Sequence, residues 1–562
     1  MKSCVKTLLL KETEKVLVVV FEHIAQFLDV RTQLAVLAGC RKLWESGLRT
    51  RTMLHAQVSV PPKARANIDD VRARLLALAP LMRQLHAPAL SIISLPGLDL
   101  NSVWPLVSLS LGGTTTSAAF LFDLPVVLAH PLFSSIVTLS LKYSENVTSP
   151  ALRSLSLLHN LRHLDCSHTS LAFLDSSISE LVNLISLDIS ITRISDISEI
   201  TKLLQLTFLG MEMIPVGDLS PLKYLPKLQH LNLNFCTAES YSFLTELHEL
   251  KVLKLENSWM NDMNAQSISN LFQLETLHLI NSHVSDLIHI SKLKNIQDFS
   301  VAASVSIENS NVLASFSSTL RILNLSYAQI TSFEFLKSMT HLTVLNLTFT
   351  RVSKLLLPDL PLLNEFYASG TLINNAELKK LVKHAPNLVI LDIASTIISD
   401  IAPLADLKKL KTVVLALCSE LENIDSLSKL VHLTFLDISM TKVSDLYVIT
   451  NLINLERLNI KNTPIKSIHS LFALKKLKLL AVGSLSRDLG FAKLNDSLPN
   501  LHIYQHALKL MFTIKKFKTQ HNNVNKVIII IEGSTVKEVK SHVWAARSDV
   551  ISKTVLLDEI NN

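Results

Sequence analysis

The sequence predicts an α/β solenoid. This is a curved array of short repeats with a parallel β-sheet on the concave face, a helical N-terminal cap and a small α+β C-terminal segment. Two observations predict it. Between His432 and Val482 one phrase occurs twice: Leu433, Leu436, Ile438, Thr441 and Val443 recur as Leu455, Leu458, Ile460, Thr463 and Ile465, 22 residues later. The same frame starts repeatedly from Leu161 to Leu501 at spacings of 21 to 25 residues, and a fixed period in that range marks a solenoid.

Each frame reads as a strand followed by a turn. Its first, fourth and sixth positions are apolar, so one face of the strand is buried. A lone repeat does not fold. It buries about five apolar side chains worth roughly 1.5–3 kcal/mol each, against about 1–2 kcal/mol of backbone ordering per residue. Stacking on both neighbours closes the gap. The ninth position is small and mostly hydroxylic, as in Thr169, Thr192, Ser258, Thr350, Thr396, Thr441 and Thr463, with Cys236 and Cys418 as variants. A hydroxyl there bonds the backbone where the chain leaves the strand. Ile214, Ala328 and Leu485 interrupt the row.

The pattern L-x-x-L-x-L-x-x-T-x-I resembles a leucine-rich repeat over about residues 161–503. The threonine form followed by Ser-Asp, at Ser195-Asp196, Ser285-Asp286, Ser399-Asp400 and Ser444-Asp445, resembles the short internalin-type or phosphatase-regulator-type repeat. An aspartate at that point caps a short convex helical turn. Asn375–His384 and Asn264–Phe272 are expected to form longer convex helices.

Four segments follow along the chain: 1–50, 51–160, 161–504 and 505–562. In the first, amphipathic spacing gives two or three short helices. Phe27, Leu28, Asp29, Leu34, Leu37, Cys40, Arg41 and Trp44 resemble an F-box. That resemblance implies a Skp-type adaptor or a cullin as partner, with Phe27, Leu28 and Trp44 in the contact; the other reading is a cap on the solenoid end. Residues 51–160 read as degenerate first repeats. Asp70–Gln84 is helical in pattern, and Ala89–Leu95, Leu106–Leu111 and Ile136–Leu141 are strand candidates. Gln505–Gln520 is a capping helix with Lys509, Lys515, Lys516 and Lys518 on a solvated face. Val527–Glu532, Gly533, His542, Ala545, Ala546, Arg547, Ser548 and Val550 resemble the opening of a BTB/POZ domain, or else form a C-terminal cap.

Composition narrows the function. A net charge of +7 over 562 residues makes no case for nucleic acid. Five cysteines without metal-ligand spacing read as structural thiols in a reducing compartment, which points to the cytoplasm or nucleus. Lys11, Glu12, Glu14 and Lys15 break the apolar N-terminal runs, which argues against a secretory signal. Asn101–Phe122 is uncharged, but Pro105, Gly112 and Gly113 argue against a membrane span. With Gly only 11 times in the chain, no phosphate-cradling loop is present, and no catalytic or metal motif occurs. The expectation is a non-enzyme without cofactors. Its work is protein binding on the concave wall, as substrate receptor of a ubiquitin ligase or as a phosphatase-regulatory or cytoskeletal repeat protein. Strand alternation turns the third, fifth and seventh positions outward. Exposed aromatics on such a wall anchor interfaces, and the candidates are Phe235, Tyr327, Phe349 and Tyr367, flanked by Asn324 and Asn346.

Overall fold

The computed structural model describes residues 134–483 and 494–505, apart from 145–146, 305–306, 331, 495–496 and 499, together with the strands Ala56–Ser59, Met82–His86 and Ser108–Ser110. The chain divides into two compact units. The first is Met1–Leu372 with Lys383–Pro386, and the second is Ile373–Val382 with Asn387–Asn562. The division falls inside the 161–504 segment.

In the first unit the leucine frame becomes an open ladder of short parallel strands. The fourth-position residues pair in unbroken register, Leu85 with Leu109, Leu139, Leu164, Leu187 and Leu209 in succession. The line continues through Leu231, Leu253, Leu277, Phe299, Leu323, Leu345 and Phe366. The second unit repeats the arrangement with Leu391, Val413, Leu436, Leu458, Leu480 and Ile503. Leu184, Leu187 and Ile189 show what the frame positions do: all three are fully buried, and each contributes roughly 1.5–3 kcal/mol.

Repeat length decides what forms opposite the strand. Repeats of 22 residues have room only for a five-residue 3-10 turn, such as Ser198–Lys202 or Tyr447–Asn451. The Ser-Asp aspartates hold these turns. Asp196 Oδ1 accepts from the Ser198 amide at 2.9 Å, and Asp400 and Asp445 accept from Ala402 and Tyr447 at 2.8 Å. The 25-residue repeat that starts at Leu363 in the sequence carries a ten-residue α-helix, Asn375–His384, over the expected span. Asn374 caps it, its Oδ1 accepting from the Ala376 and Glu377 amides. The helix expected over Asn264–Phe272 is instead one α-turn, Asp262–Ala265, followed by the 3-10 segment Gln266–Asn270. Its repeat starts at Leu250 and is one residue shorter, which leaves less chain to close the coil.

One N-terminal expectation is corrected. Asp70–Gln84 was expected to be helical, but its end lies in the strand Met82–His86. Met82 stands there in place of the usual first leucine of the frame, and the register continues through Leu85. The other strand expectations hold in shortened form at Ser108–Ser110 and Thr138–Ser140, while Ala89–Leu95 lies outside the described residues. So do the F-box-like segment, the BTB-like segment and the 505–520 helix beyond Gln505. No helix among the described residues is long and apolar enough to cross a membrane.

Candidate functional site

The corner at which a strand ends is built from up to three devices. First, the fifth-position side chain turns the backbone: Asp165, Asn232, Asn324, Asn346, Asp392 and Asn459 accept, through Oδ1, from the amide two residues on, at 3.0–3.1 Å. This is an Asx turn. Second, the ninth-position hydroxyl donates back to the sixth-position carbonyl, as in Thr350 to Leu347 and Thr371 to Ala368, both at 2.6 Å. Cys236 and Cys418 use Sγ in the same slot and reach the carbonyls of Met211 and Ile393 in the preceding repeat.

Third, the residue between them is left-handed. Tyr143, His168, Ile191, Met213, Phe235, Asn257, Asn281, Ala303, Tyr327 and Phe349 have φ between +50° and +62°, as do Ser395, Leu417, Met440 and Asn462 in the second unit. The eighth-position amides from Tyr143 to Met440 bond the next coil, for example Phe349 to the Ser369 carbonyl and Tyr327 to the Thr348 carbonyl, both at 2.7 Å. Left-handed backbone costs a non-glycine residue about 1–2 kcal/mol, and a β-branched residue such as Ile191 is unusual there. At Phe349, between Asn346 and Thr350, the other two locks and the inter-coil bond over-determine the corner; at Met213, between Gly210 and Ile214, the inter-coil bond holds it without them. The eighth side chain is therefore free to point outward whatever its chemistry.

Three of the four predicted aromatics lie in this row. Phe235 and Phe349 are 42% and 46% exposed. The rings of Tyr327 and Phe349 stack with centroids 4.8 Å apart and planes inclined by 21°, within the favourable offset range. On its other side Phe349 lies over Gly370, where a Cβ would come within 2.5 Å of Cδ1 and Cε1 of the ring. Phe235 stands four coils away, about 19 Å along the ladder, so it is not part of the stack. Tyr367 sits within its strand, half-buried, and its hydroxyl donates to Glu365 at 2.8 Å. Asn324 is half-buried, whereas Asn346 is buried; both spend Oδ1 on the turn. Phe27, Leu28 and Trp44 lie outside the described residues.

A second feature was not anticipated. His278 bridges two carboxylates on the sheet face, Nδ1 to Glu256 and Nε2 to Asp298, each at 3.3 Å. Burial works against its charge, but the hydrogen bonds and charges of Asp298 and Glu256 outweigh it and hold the imidazole at about 9. The hydrogen bond from His278 pulls the Glu256 carboxyl below its ordinary range. Lining up the seventh, fifth and third positions of successive frames, Glu256, His278 and Asp298, would have revealed the trio. Burial pushes the thiols of Cys166, Cys236 and Cys418 up, that of Cys236 to about 11, so these sulfurs are inert packing groups.

Comparison with known proteins places this geometry. Residues 121–357 match the family described as a leucine-rich repeat region. A leucine-rich repeat protein of Leptospira interrogans is 20% identical with a TM-score of 0.49, covering 77% of this chain and 97% of its own. A Listeria monocytogenes internalin is 22% identical with a TM-score of 0.38, covering 60% of this chain and 85% of its own. The ectodomain of an Arabidopsis thaliana membrane receptor kinase, in complex with a Casparian strip integrity factor, is 17% identical with a TM-score of 0.44, covering 80% and 60%. No curated protein matches. With the family match over residues 121–357, the 22-residue frame and the recurring strand, left-handed corner and 3-10 turn give the described residues the fold of a leucine-rich repeat solenoid.

Proposed function

We propose that this protein is a non-enzymatic scaffold that holds a protein partner on the sheet face and corner row of its first unit, anchored by Tyr327 and Phe349. The observation that carries the reading is the stacked, outward pair in strained backbone. Two bulky aromatic side chains, Phe349 exposed and Tyr327 half-buried, stand at corners where glycine would relieve the strain, and such strain gathers at functional sites. Rigid aromatics supply contact area at low entropic cost. Phe235 and Tyr367 extend the surface, and Asn324 and Asn346 hold the turns that present it.

The finer form of the proposal is a substrate receptor of a ubiquitin ligase in the cytoplasm or nucleus. Phe27, Leu28 and Trp44 would grip a Skp-type adaptor or a cullin while the repeat face holds the substrate. The F-box-like spacing in the sequence supports it.

Affinity purification with mass spectrometry tests both levels. Tyr327→Ala with Phe349→Ala should deplete the partners at least about tenfold, the scale of one hot-spot contact, with an unchanged melting temperature. Full capture by that variant would remove the site. Substituting Phe27, Leu28 and Trp44 with Ala should remove an adaptor or cullin alone; recovery of a phosphatase or cytoskeletal subunit instead would replace the ligase reading.

A further inference from the structure

The corner row has a gap on the open side of the stack. Following it away from Gly370, the order is Phe349, Tyr327, Ala303, Asn281 and Asn257. Phe349 is enclosed between the Tyr327 ring and the Gly370 backbone. Among the described residues Tyr327 has Phe349 as its one ring contact, and the corner on its other side is Ala303, exposed and bearing only a methyl. From Tyr327 to Asn281 is two strand spacings, about 10 Å, enough for one planar side chain standing in the row. The far wall is polar: Asn281 Nδ2 donates to Asn257 Oδ1 at 2.7 Å, which leaves the Asn281 carbonyl oxygen as an acceptor beside the gap.

The charge of the adjoining face is independent of the gap. The outward third, fifth and seventh positions of the first unit, from Thr138 to Ser369, carry Asp165, Asp188, Glu212, Glu256, Asp298 and Glu365 against Lys142 and Lys254. His278 adds one cation between two of those acids, and with Lys254 it offsets Glu256 and Asp298, so the excess carboxylate of the face lies at Asp165, Asp188, Glu212 and Glu365. This acidic face belongs to a chain of net charge +7.

We propose that the gap above Ala303 is a seat for an arginine side chain of a basic partner segment. The proposal rests on the reading of Tyr327 and Phe349 as anchors. The guanidinium continues the stack on the open face of Tyr327 by cation–π contact, donates in its own plane to the Asn281 oxygen, and brings positive charge to a face with excess carboxylate. Lysine lacks the planar fork for this. A partner phenylalanine would bring the Asn281 oxygen no donor.

The test is a selection of random displayed peptides on the full-length chain. Binding of the enriched sequences is then measured to the wild type, to Tyr327→Ala and to Ala303→Phe. A ring at position 303 fills the seat, and the backbone accepts it because Phe349 has φ +53° against +53° at Ala303. Equal melting curves check the fold. The expected result is enrichment of arginine at one peptide position. Its replacement by lysine or citrulline should weaken binding about tenfold to the wild type and leave binding to Ala303→Phe unchanged. Enrichment of aromatics there, no enrichment, or an equal loss in both chains would overturn the seat. Peptides weakened by Tyr327→Ala but indifferent to Ala303→Phe defeat this inference alone. Peptides indifferent to both defeat the anchor reading as well.

Discussion

His278 carries the most informative ionisation among the described side chains. Its folded value of about 9 lies above the ordinary 6.5, so its contribution to stability is complete below about pH 6.5 and is lost as the pH rises through 9. Replacing it with Gln should cost about 2 kcal/mol at pH 6.5, the scale of hydrogen bonds to charged groups. That deficit should close towards pH 10. Urea titrations of both proteins at each pH measure it, since common titrations cancel in the difference, and a constant deficit would show that the bridge carries no net charge effect. Gly370 supports a second residue-level prediction. Other residues share its left-handed corner, so the backbone alone does not demand glycine there; the Phe349 ring does. Gly370→Ala should cost about 1–3 kcal/mol and unstack Tyr327, read from its fluorescence and near-ultraviolet circular dichroism. Preserved signals would mean that the ring simply shifts.

Among elements, the corner separates what holds the coil from what decorates it. Thr441 donates to the Ile438 carbonyl at 2.7 Å from a buried position. Thr441→Val leaves that carbonyl unpaired and should cost about 1–3 kcal/mol in denaturant titrations. Ser395 is exposed at φ +53°, and Ser395→Gly should instead stabilise by about 1 kcal/mol, since only the strain is removed. A destabilising effect of that substitution would show that the corner is relaxed. The strand and hydroxyl positions of this element were legible in the sequence because burial restricts them to Leu, Ile, Val and small hydroxylic residues. The left-handed position was not. Ile191, Met213, Phe235 and Ala303 share no chemistry, and their common conformation goes with the bond each amide makes to the next coil rather than with their own preference. The same reasoning explains why Asn324 and Asn346 read as binding flanks: an amide on an outward strand position looks alike whether it greets a partner or turns its own backbone. Met82–His86 was missed for the opposite reason, since Met and Ala stand where the frame normally repeats leucine.

For the whole molecule, coil-on-coil stacking makes damage local. Each coil is held by its nearest neighbours, so stability is a sum of coil and interface terms. Leu277→Ala in the first unit removes a fully buried side chain and should cost about 2–5 kcal/mol. Hydrogen exchange should accelerate around Leu253, Leu277 and Phe299, while Leu436 and Leu458 in the second unit keep their protection. Uniform acceleration across both units would show one cooperative block instead. The array itself was plain from periodicity, while the division near Leu372 was not, because the frame keeps its lettering through Leu363 and Leu388. The binding surface was half legible. Aromatic content flagged Tyr327 and Phe349, but their contact depends on neighbouring coils lying one strand spacing apart, which no single repeat reveals.

The corner row has one more consequence. Since the amide bond to the next coil, joined at some corners by the Asx turn or the hydroxyl lock, fixes that bend without help from the side chain it displays, the molecule owns a line of addressable positions spaced like rungs. A library randomised at Met213, Phe235, Asn281, Ala303, Tyr327 and Phe349 alone should return mostly folded members, with new specificities written into an unchanged frame.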